Sequence, residues 1–184
     1  MMQRRNGSAV AGLVVIACGL VGLPAAIPDV SQATSSEAGR ARLTIVLDDA
    51  RLTITLDALA RDITGLDHPP ADPAETAQLA LALKTLRAGE TLFLLPAVAW
   101  CRPVSAAVAN PEGGGSPRAR LQASWQFQCG TPAALQWVDA HLLAVFPGIR
   151  QLETSATLPA GAKSVVLTAG TPRILLPREP LSRR

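Results

Sequence analysis

The chain has 184 residues, a formal net charge of +3 and few aromatic side chains, namely three Trp, three Phe and no Tyr. So mild a charge and so few rings argue against a nucleic-acid surface, which needs clustered Lys and Arg beside stacking aromatics. Apolar residues make up 48% of the chain, which is enough for the core of one ordinary domain.

The first 27 residues have the pattern of an export signal. Arg4 and Arg5 give a positive start, and residues 8–27 carry no charge. Two alternatives stay open: residues 15–18 are a permissive lipobox, in which Cys18 would be lipidated, or the apolar run remains uncut as a membrane anchor. All three predict a periplasmic location, with a membrane-tethered lipoprotein as the main alternative to a soluble protein.

Composition divides the rest of the chain into three segments. Residues 28–40 are small and polar and are predicted to form a leader. Residues 41–178 are predicted to form one domain, and residues 179–184 a basic tail.

The first elements of the domain are a β-hairpin and a helix. Residues 42–48 and 51–57 are near-repeats in which Leu and Ile recur at every second position, as in a hairpin with one buried face. Asp72 can cap a helix that has Pro73 in its first turn, and Gly89 is expected to end it.

The next segments predict a second hairpin. Residues 100–108 form one strand, with Pro103 at an edge or a bulge, and residues 121–129 form the other, on either side of a Gly-rich tip. If these strands pair, Cys101 lies opposite Cys129. An even pair of cysteines in an oxidising compartment indicates a disulfide, and two thiolates on a metal are the alternative.

The last third predicts a second helix and three strands. Leu135, Val138, Leu142 and Val145 are spaced as the buried stripe of a helix over residues 131–146. Strands are expected at 151–158, 163–168 and 173–176. The predicted fold class is therefore α+β, an antiparallel sheet with hairpins, two packed α-helices and one disulfide.

Several short motifs in this order resemble the ZrgA-like proteins, periplasmic bacterial proteins linked to zinc uptake. They are Gly65-Leu66-Asp67-His68-Pro69-Pro70, Leu92-Phe93, Cys101-Arg102, Ala123-Ser124-Trp125-Gln126-Phe127-Gln128-Cys129 and Phe146-Pro147-Gly148-Ile149. Each motif alone is weak, but their order and spacing together are specific to the family.

The resemblance implies zinc capture through histidine, yet this chain has two histidines. His68, with Asp67 beside it, is the family histidine that remains and is the candidate zinc ligand; its alternative role is to order the turn before the Pro pair. His141 matches no motif and is expected on a helix surface. At the positions where relatives have other histidines, this chain has arginines that cannot ligate zinc because they stay protonated: Arg40, Arg42, Arg118 and Arg120.

These observations predict an exported, non-enzymatic accessory protein of zinc uptake with weakened or lost zinc binding. The sequence contains no Gly-x-Ser-x-Gly, His-Glu-x-x-His or phosphate-loop motif. The alternative is an interaction or ligand-binding module whose four arginines cluster on one face. A metal transporter or another envelope protein is the expected partner; nucleic acid is not, and membrane contact would be only through the N-terminus.

Overall fold

The computed structural model describes residues 37–109 and 118–177. The predicted export signal, Cys18, most of the leader, the Gly-rich hairpin tip and the basic tail lie outside these residues. Within them, no helix is both long enough and apolar enough to span a bilayer.

The described residues form nine strands and four α-helices. The strands are β1 (Arg40–Asp48), β2 (Arg51–Leu59), β3 (Phe93–Leu94), β4 (Cys101–Ala109), β5 (Arg120–Cys129), β6 (Trp137–Ala140), β7 (Gln151–Leu158), β8 (Gly161–Leu167) and β9 (Arg173–Leu175). The helices are α1 (Ala60–Thr64), α2 (Pro73–Arg87), α3 (Gly89–Leu92) and α4 (Leu142–Val145).

Six strands form one sheet in the order β4-β5-β2-β1-β7-β8, and β3, β6 and β9 form a second sheet. All neighbours pair antiparallel except β1 and β7, which run parallel. The predicted α+β class with an antiparallel-rich sheet is confirmed. The first hairpin is also confirmed, because β1 pairs with β2 from Asp48 and Arg51 outwards.

One face of the large sheet is apolar and is covered by the helices and the second sheet. Period-two alternation in β5 buries Leu121, Ala123, Trp125 and Phe127. Phe93 of the second sheet packs edge-on against Trp125, with ring centroids 4.9 Å apart. The alternate positions of β1 and β5 lie on the opposite face, where most side chains are polar and at least partly exposed.

The second hairpin and its disulfide are confirmed. β4 pairs with β5 so that Cys101 lies opposite Cys129, and the two sulfurs are bonded. β4 is an edge strand, and the register shifts between Pro103 and Ser105. Proline is tolerated there because an edge strand can lose one backbone donor.

The predicted first helix is α2. The Asp72 carboxylate accepts a hydrogen bond of 2.9 Å from the backbone N–H of Glu75, and Pro73 occupies the first turn. The helix ends at Arg87. Gly89 opens α3 instead, and its Cα packs so closely on the Trp125 ring that a Cβ would collide with it.

The predicted second helix over residues 131–146 is wrong. This segment forms a 3-10 turn at Pro132–Ala134, strand β6 and the short helix α4. Leu135, Val138 and Leu142 are buried as expected, but Val138 and Ala140 alternate with half-buried residues of β6 because β6 pairs with β3 and β9. The spacing of the apolar residues therefore agrees with both the helical and the strand period, and pairing with strands distant in sequence makes this segment a strand.

Candidate functional site

His68 lies on an exposed turn between α1 and α2, with about half of its side chain accessible (51%). Its Nδ1 lies 2.9 Å from the carbonyl oxygen of Pro69. Because a carbonyl only accepts, Nδ1 carries a proton and Nε2 is the nitrogen left to bind another group.

Two carboxylates face that nitrogen. Nε2 is 3.9 Å from Oδ1 of Asp67 and 3.8 Å from Oε1 of Glu75. The pKa of His68 is raised, first by the hydrogen bond to Pro69 and then by the charge of Glu75, with a smaller contribution from Asp67. A proton and a zinc ion would therefore compete for Nε2, so any zinc binding there weakens as pH falls.

Glu75 is the neighbour of His68 that sequence reasoning missed. Because Asp72 caps α2, Glu75 in the first turn of the helix lies beside the loop that precedes it. Glu75 then accepts a 2.7 Å hydrogen bond from the Ala71 N–H through Oε2 and points Oε1 at His68. The capping pattern was the available signal. No group of three or more His, Cys, Asp or Glu among the described residues has the arrangement of a metal site.

The cysteines are not available as zinc ligands in the oxidised protein. Cys101 and Cys129 are bonded to each other, and Cys129 is buried in the core. The thiolate alternative is thereby excluded for the disulfide form, because only a free thiolate ligates zinc.

Three of the four predicted arginines lie on the polar face of the large sheet. Arg40 and Arg42 are exposed at alternate positions of β1. Arg42 is in register with Asp57 of β2, which is in register with Gln122 of β5, and Arg120 is two residues before Gln122 on the same side. Arg118 precedes β5 and is exposed, so the sheet register does not place it on that face.

Acidic side chains lie among these arginines. Nε of Arg120 donates to Oδ1 of Asp57 at 2.7 Å, and its Nη1 is 4.0 Å from Glu37. Arg42 lies between Asp57 and Glu153 in the strand register. The face therefore carries alternating charges across four strands, an arrangement suited to a protein partner with a complementary pattern.

The fold brings the segments that carry these arginines to one end of the sheet. β1 and β5 both begin there and β4 ends there, because β5 runs antiparallel to β2 and β4. The resemblance placed family histidines at these same segments. In this chain the residues at that end can form ion pairs, whereas guanidinium groups cannot coordinate zinc.

His141 does not join either group. It is exposed and immediately precedes α4, so it lies on the surface, but the helix in which it was predicted does not form.

Comparison with protein families agrees with the motifs. A family model described as "ZrgA family zinc uptake protein" matches residues 35–176. This chain belongs to the ZrgA family. The match spans both sheets and all four described helices, and it associates the chain with zinc uptake; the description names no catalytic activity. No curated protein matches the chain.

Proposed function

We propose that this ZrgA-family protein is an exported, non-enzymatic accessory protein of zinc uptake whose own affinity for zinc is low. The family is linked to zinc uptake, but the described residues of this chain offer few zinc ligands. The family match covers residues 35–176, yet within the described part of that range both cysteines are held in a disulfide and one histidine, His68, faces carboxylates.

Simple ligand arithmetic supports a low affinity. Four-ligand structural zinc sites bind zinc with an apparent free energy of roughly 10–16 kcal/mol near neutral pH. The His68 imidazole with the nearby carboxylates of Asp67 and Glu75 should supply at most about half of the lower value, which corresponds to a Kd on the order of 0.1 mM or weaker. Such a site would be largely empty at submicromolar zinc, so capture of scarce zinc would have to be performed by another component.

The arginine face supports a role in protein contact. Arg40 and Arg42 stand exposed side by side on β1, and Arg120 lies two strands away on the same face. We propose that this face docks onto an envelope partner, such as a metal transporter, whose surface charges complement this alternating pattern and include acidic groups opposite Arg40 and Arg42. In this account the protein acts through that contact rather than through its own zinc site.

A growth experiment tests the proposed function. In the host, deletion of the gene should reduce growth in chelator-treated medium, and added zinc should restore it. Expression of wild type or His68→Ala should rescue growth, whereas Arg40→Glu/Arg42→Glu should not, because the docking face would be reversed in charge. Arg51→Glu/Lys163→Glu makes the same charge change away from that end of the sheet and serves as the matched control.

Each outcome of that experiment is informative. A deletion strain that grows normally under zinc limitation would contradict the link to zinc uptake. Failure of His68→Ala to rescue growth would show that zinc binding by this chain is required and would contradict the low-affinity role. Rescue of growth by Arg40→Glu/Arg42→Glu would contradict the proposal that the arginine face docks onto a partner.

A further inference from the structure

The two edges of the large sheet differ in how they are protected. An open edge strand presents unpaired backbone N–H and C=O groups, which proteins shield with charges, proline or bulges. β8 has Lys163 near its middle. β4 has Pro103 and a bulge, but only in its first half. Its second half, residues 105–109, is Ser-Ala-Ala-Val-Ala, without charge, proline or bulge.

This unprotected half of β4 is accessible and apolar. The small side chains of Ser105, Ala106 and Ala107 are exposed, so they leave the backbone open to approach. Val104 beside them has 64% of its surface exposed. Among the described residues, β4 has a strand neighbour on one side only, which is β5.

A groove runs beside this edge. It has a volume of about 240 Å³, lies between β4 and the junction of α2 with α3, and reaches Trp125 and Phe127 at its floor. Arg87 and Glu90 line it from the helix side, and both are exposed. Neither forms an ion pair with any described residue.

We propose that the edge of β4 is the site where two copies of this chain associate. The second halves of the two β4 strands pair antiparallel about a two-fold axis near Ala107, which joins the two large sheets into one. A second copy of the chain fits this edge because the groove carries one positive and one negative side chain, Arg87 and Glu90. In this pairing we expect Arg87 of each copy to reach the partner's Glu90, and across a two-fold axis that contact occurs twice.

This arrangement satisfies groups that are otherwise left exposed. Pairing gives the outward backbone groups of residues 105–109 hydrogen-bond partners, and the two unpaired charges neutralise each other. A strand added by an unrelated acidic peptide would pair with Arg87 but would bring its charge against Glu90.

Charge reversal and charge exchange test the pairing. Sedimentation velocity of the protein, purified as its host processes it, should show a concentration-dependent monomer–dimer equilibrium. Arg87→Glu alone and Glu90→Arg alone should each weaken dimerisation at least about tenfold, because each replaces two attractive contacts by two repulsive ones. The exchange variant Arg87→Glu/Glu90→Arg should restore the dimer to within about threefold of wild type.

Lys84→Glu is the matched control, since it makes the same charge reversal on α2 without lining the groove. It should leave the equilibrium unchanged. A protein that stays monomeric up to about 100 µM, a dimer insensitive to both single reversals, or failure of the exchange variant to recover would each overturn the proposal. Binding of an unrelated acidic peptide to a monomeric protein at this edge would likewise overturn it.

Discussion

Replacement of Trp125 by alanine should destabilise the domain by about 3–5 kcal/mol, the range for removing a large aromatic side chain from a core. Trp125 has 1% of its surface exposed and, among the residues that the structure describes, is the largest of the fully buried side chains. Its removal would leave a cavity between the large sheet, α2 and the second sheet. Since whole domains are stable by about 5–15 kcal/mol, this single change would remove a large share of the total.

A hydrogen bond adds to this effect. The indole N–H of Trp125 donates to the carbonyl oxygen of Leu86 at 2.7 Å, in the last turn of α2. Trp125→Phe keeps most of the ring but leaves that carbonyl without this donor, which should account for about 1–3 kcal/mol of the loss.

Urea unfolding followed by circular dichroism measures both substitutions. Trp100→Ala is the control, because Trp100 has 67% of its surface exposed and should change stability by no more than about 0.5 kcal/mol. Equal effects of the Trp125 and Trp100 substitutions would contradict the burial described here.

Loss of the disulfide should destabilise the protein by about 3–4 kcal/mol. The bond joins Cys101 and Cys129 at a sequence separation of 28, and the chain-entropy model gives this value for a loop of that length. The bond also fixes the start of β4, an edge strand with few buried side chains of its own. We expect β4 to exchange its amide hydrogens faster once the bond is removed.

The measurement compares urea midpoints of the wild type and Cys101→Ala/Cys129→Ala, each with and without reductant. Reductant should lower the midpoint of the wild type to near that of the double variant and should leave the double variant unchanged. A wild type whose midpoint does not respond to complete reduction of the bond would contradict a stabilising role.

Local patterns were sufficient to predict much of the fold. Period-two alternation identified β1, β2 and β5, and the Asp72-Pro73 start identified α2. Each of these signals acts over a few residues and agrees with the burial that the fold imposes. Opposed positions in one hairpin likewise predicted the bond between Cys101 and Cys129.

Patterns that depend on distant partners could not be predicted in this way. β6 has four residues, too few for its alternation to outweigh the helical spacing around Val138, and it is a strand because β3 and β9 flank it. The parallel pairing of β1 with β7 links segments more than 100 residues apart. Neither pairing produces a recognisable pattern in the residues next to each other in the sequence.

The candidate site shows the same division. Sequence reasoning selected His68 and Asp67 from adjacent positions. Glu75 joins them because the helix start folds back on the turn, which is a matter of geometry rather than of spacing. The arginines of β1 and β5 lie near each other because a single strand, β2, separates these two strands in the sheet.

Zinc titration calorimetry on wild type, His68→Ala and His141→Ala, with the disulfide intact, measures whether this chain binds zinc only weakly and through His68. We expect the wild type to bind zinc with a Kd of about 0.1 mM or weaker near neutral pH, more weakly at lower pH, and His141→Ala to match it. His68→Ala should abolish the heat of binding. Micromolar or tighter binding in the wild type would contradict the account, because it would show that this ZrgA-family protein has kept a zinc site strong enough to capture the metal itself.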